Sequence, residues 1–172
     1  AFFRRQRQMC IRDRFRSVLD PKRITLKQSL SSRKKVLEHI ATLFAEHLIS
    51  ADVDQAAARD TLLEAFLARE KLGSTALGDG IAIPHCRAAN CKTPEVAVLT
   101  LTQGVDYDAR DQQAVDTFFA LIVPEEATQT HLEILASIVG LFQQAGFADY
   151  IRQATSSTEV YQKIVCLLYT SD

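Results

Sequence analysis

The sequence predicts an α/β fold: a three-layer α/β/α sandwich in which a mixed central β-sheet is flanked by helices. Two amphipathic segments come first, strand-like segments follow, and further amphipathic segments close the chain. The segment DTFFALIVP (116–124) is almost wholly apolar after its first two residues, as expected of a strand covered on both faces. Such a strand needs helices on each side of its sheet, which favours three layers.

The first half of the chain predicts two helices after a short extended segment. Leu19-Asp20-Pro21 is typical of a turn, and 24–26 of a short strand or turn. Apolar residues at helical spacing predict helices over 33–49 and about 54–68, the second ending before Gly73. Four side chains able to accept hydrogen bonds are the candidate N-caps of these helices: Ser31, Ser32, Asp52 and Asp54.

After Gly73 the pattern changes to strands. Ile81 and Ile83 predict one face of a short strand, and 96–102 and 116–124 predict two longer ones. The polar stretch 106–113 between them is typical of a turn.

Three helices are predicted to close the chain. A Thr130-x-x-Glu133 capping box predicts the start of a helix over 130–144, which Gly146 is placed to end. A short helix follows near 149–153. Ser156-x-x-Glu159 then predicts a last helix that ends at about Val165.

Composition and charge restrict the functional class. The chain has 172 residues, of which 47% are apolar and 24% charged, so it is globular rather than disordered or fibrous. Six of its 20 basic and one of its 21 acidic residues lie in 1–16, which leaves 14 basic against 20 acidic residues, a net charge of −6, for 17–172. An acidic body is a poor nucleic-acid binder, because phosphate contacts need clustered Lys and Arg.

The two ends of the chain differ from its middle. Residues 1–16 form an Arg-rich head without hydrophobic periodicity, and 166–172 read CLLYTSD. The tracts MCIRDR and CLLYTSD resemble translated sequencing-adapter read-through. We therefore expect a head that is disordered or non-native, a functional domain over 17–165 and a non-native tail, so that Cys10 and Cys166 are not native residues.

The cysteines and the hydropathy pattern indicate the compartment. Cys10, Cys86, Cys91 and Cys166 form no CxxC pair, and four cysteines in a chain of this length do not make a disulfide scaffold. The apolar stretch 134–142 is too short to span a membrane, and the head lacks the apolar region of a secretory signal. We expect a reduced, cytoplasmic protein without membrane insertion.

The candidates for chemistry begin with four histidines: His39, His47, His85 and His131. His39 and His47 fall among the apolar positions of the first predicted helix and are expected to be structural or solvated. His85 follows Pro84 at the end of an Ile-Ala-Ile strand, where a rigid sheet presents reactive groups. Because imidazole titrates near neutral pH, its neutral form is available there as a nucleophile or base.

Two further side chains suit an anionic ligand. His131 lies in the first turn of a predicted helix, where free N–H groups and the helix dipole favour negative charge. Arg69 lies at the end of the second predicted helix, before the Gly-rich loop. Its guanidinium is suited to a phosphoryl oxygen, although a helix-ending Arg also complements the helix dipole or extends into solvent.

Two motifs carry a resemblance to a known family. AREKLGSTALGDGIAIPH (68–85) resembles the signature of phosphotransferase-system enzyme IIA domains of the fructose/mannitol class. In that class, a helix-ending Arg leads through a Gly-rich loop to the phosphorylated His. LIVPEEATQTHLEILA (121–136) resembles the family's second motif, which carries a second active-site His. The resemblance runs from about Leu19 to Val165, and within the class the chain is most similar to the nitrogen-regulatory members, IIA-Ntr.

The resemblance implies a function and a role for each residue. The protein would be a phosphotransferase component with His85 as phosphoryl acceptor, His131 supporting that histidine and the phosphoryl group, and Arg69 stabilising the phosphoryl charge. It implies no cofactor and no metal. The implied donor is a small phosphocarrier protein, NPr or the related HPr, and the phosphorylation state would change which regulatory target proteins are bound. The family's commonest residue after the active His is Gly, whereas here it is Cys86, which puts the loop's backbone and phosphate access in doubt.

Three other interpretations stay open. A sugar-specific enzyme IIA for fructose or mannitol would pass its phosphate to a IIB domain. A zinc site is chemically possible from four residues: His85, Cys86, Cys91 and His131. An interaction module that has lost catalysis has Cys86 as its only support in the sequence.

Overall fold

A computed structural model describes residues 15–48, 54–127 and 129–170, which form a mixed six-stranded sheet with helices on both faces. Its strands are β1 (Leu19–Gln28), β2 (Ala76–Gly78), β3 (Ile81–Ala82), β4 (His85–Ala88), β5 (Glu95–Val105) and β6 (Val115–Pro124). Its helices are α1 (Arg33–Leu48), α2 (Gln55–Lys71), α3 (Thr130–Phe142), α4 (Phe147–Gln153) and α5 (Ser157–Thr170). The predicted α/β class is confirmed.

The sheet is built around β6. The strand order is β1-β5-β6-β3-β2, and β4 also pairs with β6. β3 and β4 both run parallel to β6, whereas β5 is antiparallel to it. β1 is parallel to β5 and β2 antiparallel to β3, so the sheet is mixed, as predicted.

Alternation along β6 separates two apolar cores and confirms the three layers. One core joins the sheet to α1 and α2, and the other joins it to α3, α4 and α5. Successive side chains of a strand point to opposite faces. The first core accordingly receives Phe118, Ala120 and Ile122, and the second receives Phe119, Leu121 and Val123. The apolar sequence 116–124 is thus a strand buried on both sides.

Two of the candidate helix caps are present. The Ser32 hydroxyl accepts a hydrogen bond from the Lys35 N–H at 3.2 Å, and the Asp54 carboxylate accepts one from the Ala56 N–H at 3.0 Å. Each satisfies an N–H group that the first turn of a helix leaves unpaired. Asp52 lies outside the described residues.

The turn predicted at Leu19-Asp20-Pro21 is wrong, because these residues belong to β1. This strand lies at the edge of the sheet, and its register along β5 shifts between Leu19 and Ile24. An edge strand tolerates a proline, because one side of its backbone has no neighbouring strand to receive an N–H group. Pro21 therefore marks an irregularity within the strand rather than its boundary.

The helix start predicted by the capping box at Thr130 and Glu133 is one residue too late. The N-cap of α3 is Gln129, whose side chain makes no capping hydrogen bond, and the Thr130 side chain lies outside the described part. Gly146 does not end α3 but forms the N-cap of α4, with a φ of 81°. In the part of the chain described, no single helix is long and apolar enough to cross a membrane; His131–Phe142 and Phe147–Gln153 together meet that test but are bent by 87°.

The last helix is longer than predicted. The Ser156 hydroxyl accepts a hydrogen bond from the Glu159 N–H at 3.3 Å, as the motif predicts, but α5 continues beyond Val165 to Thr170. The reason is an apolar stripe at four-residue spacing that ends at Leu168, which is buried in the second core. At the other end, 15–18 are helical and Phe15 packs into the same core, whereas 1–14 lie outside the described residues.

Candidate functional site

His85 lies at a break in the sheet. β3 ends at Ala82 and β4 begins at His85, and both strands pair in parallel with β6. Pro84 lies in the break; it has no N–H to donate, but its carbonyl accepts a hydrogen bond from the Leu121 N–H at 2.9 Å. The break therefore keeps His85 in register with Leu121 and leaves its side chain half-buried.

One hydrogen bond defines the chemical form of the His85 ring. Its Nδ1 lies 2.8 Å from the carbonyl oxygen of Ile83. A carbonyl oxygen can only accept, so Nδ1 carries the proton and donates. In the neutral imidazole, Nε2 then holds the free lone pair.

The surroundings keep this ring neutral. Burial is the main cause that lowers the pKa of His85 below its ordinary value of 6.5, and the charges of Arg69 and His131 lower it further. The hydrogen bond to Ile83 and the carboxylate of Glu70 act in the opposite direction. The charges that act on His85 thus come from both predicted partners, Arg69 and His131, and from Glu70.

Arg69 lies in the last turn of α2, and its Nη1 donates a hydrogen bond to the carbonyl oxygen of Gly73 at 2.9 Å. Gly73 has a φ of 146°, a conformation that glycine adopts readily and other residues rarely do. This bond fixes the guanidinium at the entry to the loop that leads towards His85. A guanidinium has five N–H donors in a fork, so it can hold the loop and an anion together.

His131 lies in the first turn of α3, as predicted. Its Nδ1 is buried and finds no hydrogen-bond partner among the described residues. Buried polar atoms are nearly always hydrogen-bonded, so an exception of this kind points to a ligand or water at that position. The N–H groups of the first turn of the helix add positive potential beside it.

Arg87 connects the two histidine-bearing segments, a role that sequence reasoning missed. Its Nη1 donates hydrogen bonds to the carbonyl oxygens of Glu125, at 2.8 Å, and Ala127. These carbonyls belong to the loop between β6 and α3. Arg87 lies two residues after His85 and so on the same face of β4, and that spacing was the available signal.

Cys86 does not obstruct the site. It is buried in the first core, on the α1 and α2 side of the sheet, and pairs in register with Ile122. Successive strand residues point to opposite faces, so its thiol points away from the face that carries the His85 ring. Burial raises the pKa of Cys86 to about 12 and that of Cys91 to about 11, and both remain neutral thiols.

We therefore expect Cys86→Ala to leave the chemistry of His85 unchanged. The variant loses a small apolar group from the first core, which should lower the free energy of unfolding by about 1 kcal/mol. Urea unfolding and the NMR titration of the His85 ring check the two halves of this prediction. A change in the pKa of His85 would contradict it.

Two functional candidates escaped the sequence analysis altogether. Glu70 and Tyr107 are buried and hydrogen-bonded to each other at 2.7 Å, close to the loop after α2. Glu70 follows Leu62 and Phe66 at four-residue spacing on the buried face of α2, which was a readable signal of a buried carboxylate. Tyr107 carried no such signal, because it lies in the stretch 106–113, which its polar composition marked as a turn.

The alternative metal site does not assemble. Within the described ranges, no group of three or more His, Cys, Asp or Glu side chains is placed to hold a metal ion. His85 and Cys86 point to opposite faces of the sheet, so the four residues considered for zinc do not converge. Of the helical histidines, His39 pairs with the Thr25 hydroxyl at 2.9 Å, and the side chain of His47 lies outside the described part.

The fold and the site together define a class: a three-layer α/β domain that presents a neutral histidine at a strand break, beside an arginine and a second histidine. Residues 17–165 match the family described as phosphoenolpyruvate-dependent sugar phosphotransferase system, EIIA 2. The chain therefore belongs to the type 2 enzyme IIA family of the phosphotransferase system. The resemblance inferred from the two motifs is confirmed, and the family is one of phosphocarriers.

Individual relatives place the chain near the nitrogen-regulatory branch. A nitrogen regulatory protein of Pseudomonas aeruginosa is 43% identical over 152 residues, which cover 88% of this chain and 95% of the relative. The crystal structure of the nitrogen regulatory protein IIA-Ntr from Neisseria meningitidis has a TM-score of 0.75 at 34% identity, over 87% of this chain and 97% of that one. A fructose-specific EIIABC component of Bacillus subtilis is 30% identical over 138 residues, covering 79% of this chain and 21% of that protein.

Proposed function

We propose that this protein is a regulatory phosphocarrier of the nitrogen branch, which accepts a phosphoryl group on Nε2 of His85 from a phosphohistidine of NPr or HPr. The observation that carries the proposal is the hydrogen bond from Nδ1 of His85 to the Ile83 carbonyl oxygen. It leaves a nucleophilic nitrogen on a neutral ring, at a site whose arginine and second histidine suit a phosphoryl group. We expect the reaction to take place in the cytoplasm.

The transfer step balances without water or a further reactant. The lone pair on Nε2 of His85 attacks the phosphorus atom in line with the donor N–P bond. As the new N–P bond forms, the old bond breaks and its electron pair returns to the donor's ring nitrogen. The proton on Nδ1 of His85 stays in place, held by the Ile83 carbonyl. Because the donor is already an activated phosphohistidine, the task of the site is placement and charge stabilisation.

Two side chains stabilise the negative charge that spreads over the phosphoryl oxygens. Arg69 supplies N–H donors from the end of α2, and His131 supplies the buried Nδ1 that lacks a partner among the described residues. When that nitrogen carries its proton, it donates to a phosphoryl oxygen. Donors fixed before the reaction cost no reorganisation in the transition state.

The surface near these residues suits a transient protein partner. Among the residues that the structure describes, three large apolar side chains are exposed near elements of the site in the sequence: Leu72, Leu77 and Leu132 are 84%, 45% and 57% exposed. Leu72 precedes Gly73, Leu77 lies on β2, and Leu132 follows His131. Exposed apolar side chains beside a polar centre are typical of a docking surface.

Two alternatives differ from the proposal in what happens to the phosphate. A sugar-specific protein would pass it to a IIB domain, and the fructose-specific relative at 30% identity supports keeping this candidate. An interaction module without chemistry would take up none. The functional domain in either case is 17–165, and the proposal gives 1–16 and 166–172 no part in the chemistry.

The test is phosphoryl uptake by the full chain. Incubated with phosphoenolpyruvate, enzyme I and NPr or HPr, the protein should gain the mass of one acid-labile phosphoryl group in intact-mass spectrometry. Adding a fructose or mannitol IIB domain should leave that group in place, whereas rapid loss to IIB would favour the sugar-specific alternative. A folded protein that gains no mass from either donor would overturn the proposal.

A further inference from the structure

A buried carboxylate lies directly after Arg69 in the chain. Glu70 is only 6% exposed, and its carboxylate accepts hydrogen bonds from the Thr75 N–H at 3.1 Å and from the Thr75 hydroxyl. The Tyr107 hydroxyl donates a further bond at 2.7 Å. Buried charges are costly unless they are hydrogen-bonded, and these donors meet that need from two separate segments of the chain.

Tyr107 anchors this carboxylate from the loop after β5. Its side chain is fully buried, with its ring packed edge-on against Phe118 at 5.4 Å between centroids. Burial first, and then the charge of Glu70, raise the pKa of the Tyr107 phenol, which keeps its proton and donates it. The Ser74 hydroxyl donates to the Tyr107 carbonyl oxygen at 2.8 Å, so Tyr107 is attached to the last turn of α2 through Glu70 and to the following loop through Ser74.

From Glu70 a continuous series of hydrogen bonds reaches the reactive ring. Glu70 holds Thr75, and the Thr75 carbonyl oxygen accepts a hydrogen bond from the Ile83 N–H at 3.1 Å. The Ile83 carbonyl oxygen then accepts a hydrogen bond from the N–H of His85 Nδ1, with 2.8 Å between the nitrogen and the oxygen. The peptide that selects the tautomer of His85 is therefore held in place through Thr75 and Glu70.

We propose that Glu70 is a positioning residue for His85, which fixes the tautomer of the ring through Thr75 and Ile83 and favours positive charge on it. The inference rests on the proposed function, because it assigns a task within the same transfer step. Because Glu70 is buried, the proposal gives it no contact with the phosphoryl group or the donor; Tyr107 and Thr75 act by holding its carboxylate.

The second task of Glu70, favouring positive charge on the His85 ring, follows from the chemistry of phosphoryl transfer. When Nε2 forms its bond to phosphorus while Nδ1 keeps its proton, the ring takes on imidazolium character. A nearby carboxylate stabilises that charge, as the Asp of a catalytic triad does for its histidine, and the charge of Glu70 acts on His85 in this direction. The other charged groups that act on His85 are Arg69 and His131, and both oppose positive charge on the ring. Glu70 is the carboxylate that offsets them.

The test compares Glu70→Gln with a matched control, Glu95→Gln. Glu95 is a partly buried carboxylate in an ion pair with Arg23 at 2.5 Å, on β5, and has no hydrogen bond to the series described above. Two readouts apply to the full chain: the pKa and tautomer of His85 by ¹⁵N NMR of the unphosphorylated protein, and the rate and equilibrium of uptake from phosphorylated NPr or HPr.

For Glu70→Gln we expect a pKa of His85 below that of the unaltered chain, a mixture of ring tautomers, and uptake slowed on the order of 100-fold. The fraction of the protein that is phosphorylated at equilibrium should fall as well. Glu95→Gln should lower the stability but leave the pKa, the tautomer and the uptake rate as they are. Tyr107→Phe keeps the carboxylate and should change uptake less than Glu70→Gln does.

Two results would overturn the inference. One is a Glu70→Gln protein whose His85 titrates and takes up phosphate as before. The other is slowed uptake with the pKa and tautomer unchanged, which would make Glu70 a residue of the fold alone. If the unaltered chain takes up no phosphate at all, the proposed function fails, and the NMR comparison still decides whether Glu70 controls His85.

Discussion

Replacing His85 with alanine is expected to abolish phosphoryl uptake completely. The variant lacks the only nitrogen that the proposed step attacks with, and no electrostatic support can replace a missing nucleophile. Intact-mass spectrometry after incubation with phosphoenolpyruvate, enzyme I and the donor should show the unmodified mass. Circular dichroism should show an intact fold, because the His85 side chain is only half-buried.

The matched control for this variant is His39→Ala. His39 is also partly buried, and burial lowers its pKa as it does that of His85. It bonds to the Thr25 hydroxyl on the edge strand, and the charge that acts on its pKa is that of Glu46 rather than of Arg69 or His131. Uptake by His39→Ala should equal that of the unaltered chain; persistent uptake by His85→Ala would instead assign the phosphate to another residue.

The pH dependence of uptake follows from the direction of the pKa shift. Because burial lowers the pKa of His85 below 6.5, the neutral ring persists to lower pH than in a free histidine. The unfolded chain takes up this proton first, so this contribution to the free energy of unfolding is present above pH 6.5 and is lost as the pH falls through the lowered pKa. Uptake should decline in that same lower range.

The second large effect is expected from Arg69→Gln. Loss of one preorganised charge donor at a reacting oxyanion costs about 10²- to 10³-fold in rate, and we expect that decrease in the uptake rate constant. The charge of Arg69 lowers the pKa of His85, so the variant should raise that pKa. Rapid-quench measurement of uptake and NMR titration of the ring check the two effects separately.

Arg59→Gln is the control for this second variant. Arg59 lies on the same helix, is exposed, and forms an ion pair with Asp60 at 3.2 Å. Its loss should change neither the uptake rate nor the pKa of His85. Equal effects of the two substitutions would mean that the general charge of α2, rather than the guanidinium at its end, supports the transfer.

The parts of the fold that local patterns specify could be predicted from the sequence. The apolar stretch 116–124 required cover on both faces, and β6 has it. The cap at Asp54 follows from its side-chain chemistry alone. The start of α3 at Gln129 could not be foreseen, because its backbone begins the helix without help from a capping side chain. The full length of α5 was missed because the tail was set aside for its sequence, although Leu168 continues the apolar stripe.

The same contrast holds for the residues of the site: some could be predicted from local sequence patterns and others could not. Two motifs pointed to His85, His131 and Arg69, whose side chains carry recognisable chemistry. Arg87 acts through carbonyl oxygens of a segment distant in the sequence, and Glu70 acts through Thr75 and Ile83. The spacing of the two residues shows which face they share, but no local pattern shows what they hold in place. The burial of Tyr107 depends on how the loop after β5 folds over α2, which the polar composition of that loop conceals.

Both histidine-bearing segments, β4 and α3, are attached to β6, which makes the site mechanically a single unit. His85 is held beside Leu121 by strand pairing, and His131 follows the same strand through the loop that Arg87 ties back to β4. A tilt or shift of β6 would therefore carry both rings together and preserve the spacing between them. For the phosphocarrier proposed above, we therefore expect the two rings to keep their spacing when partners of different shape bind.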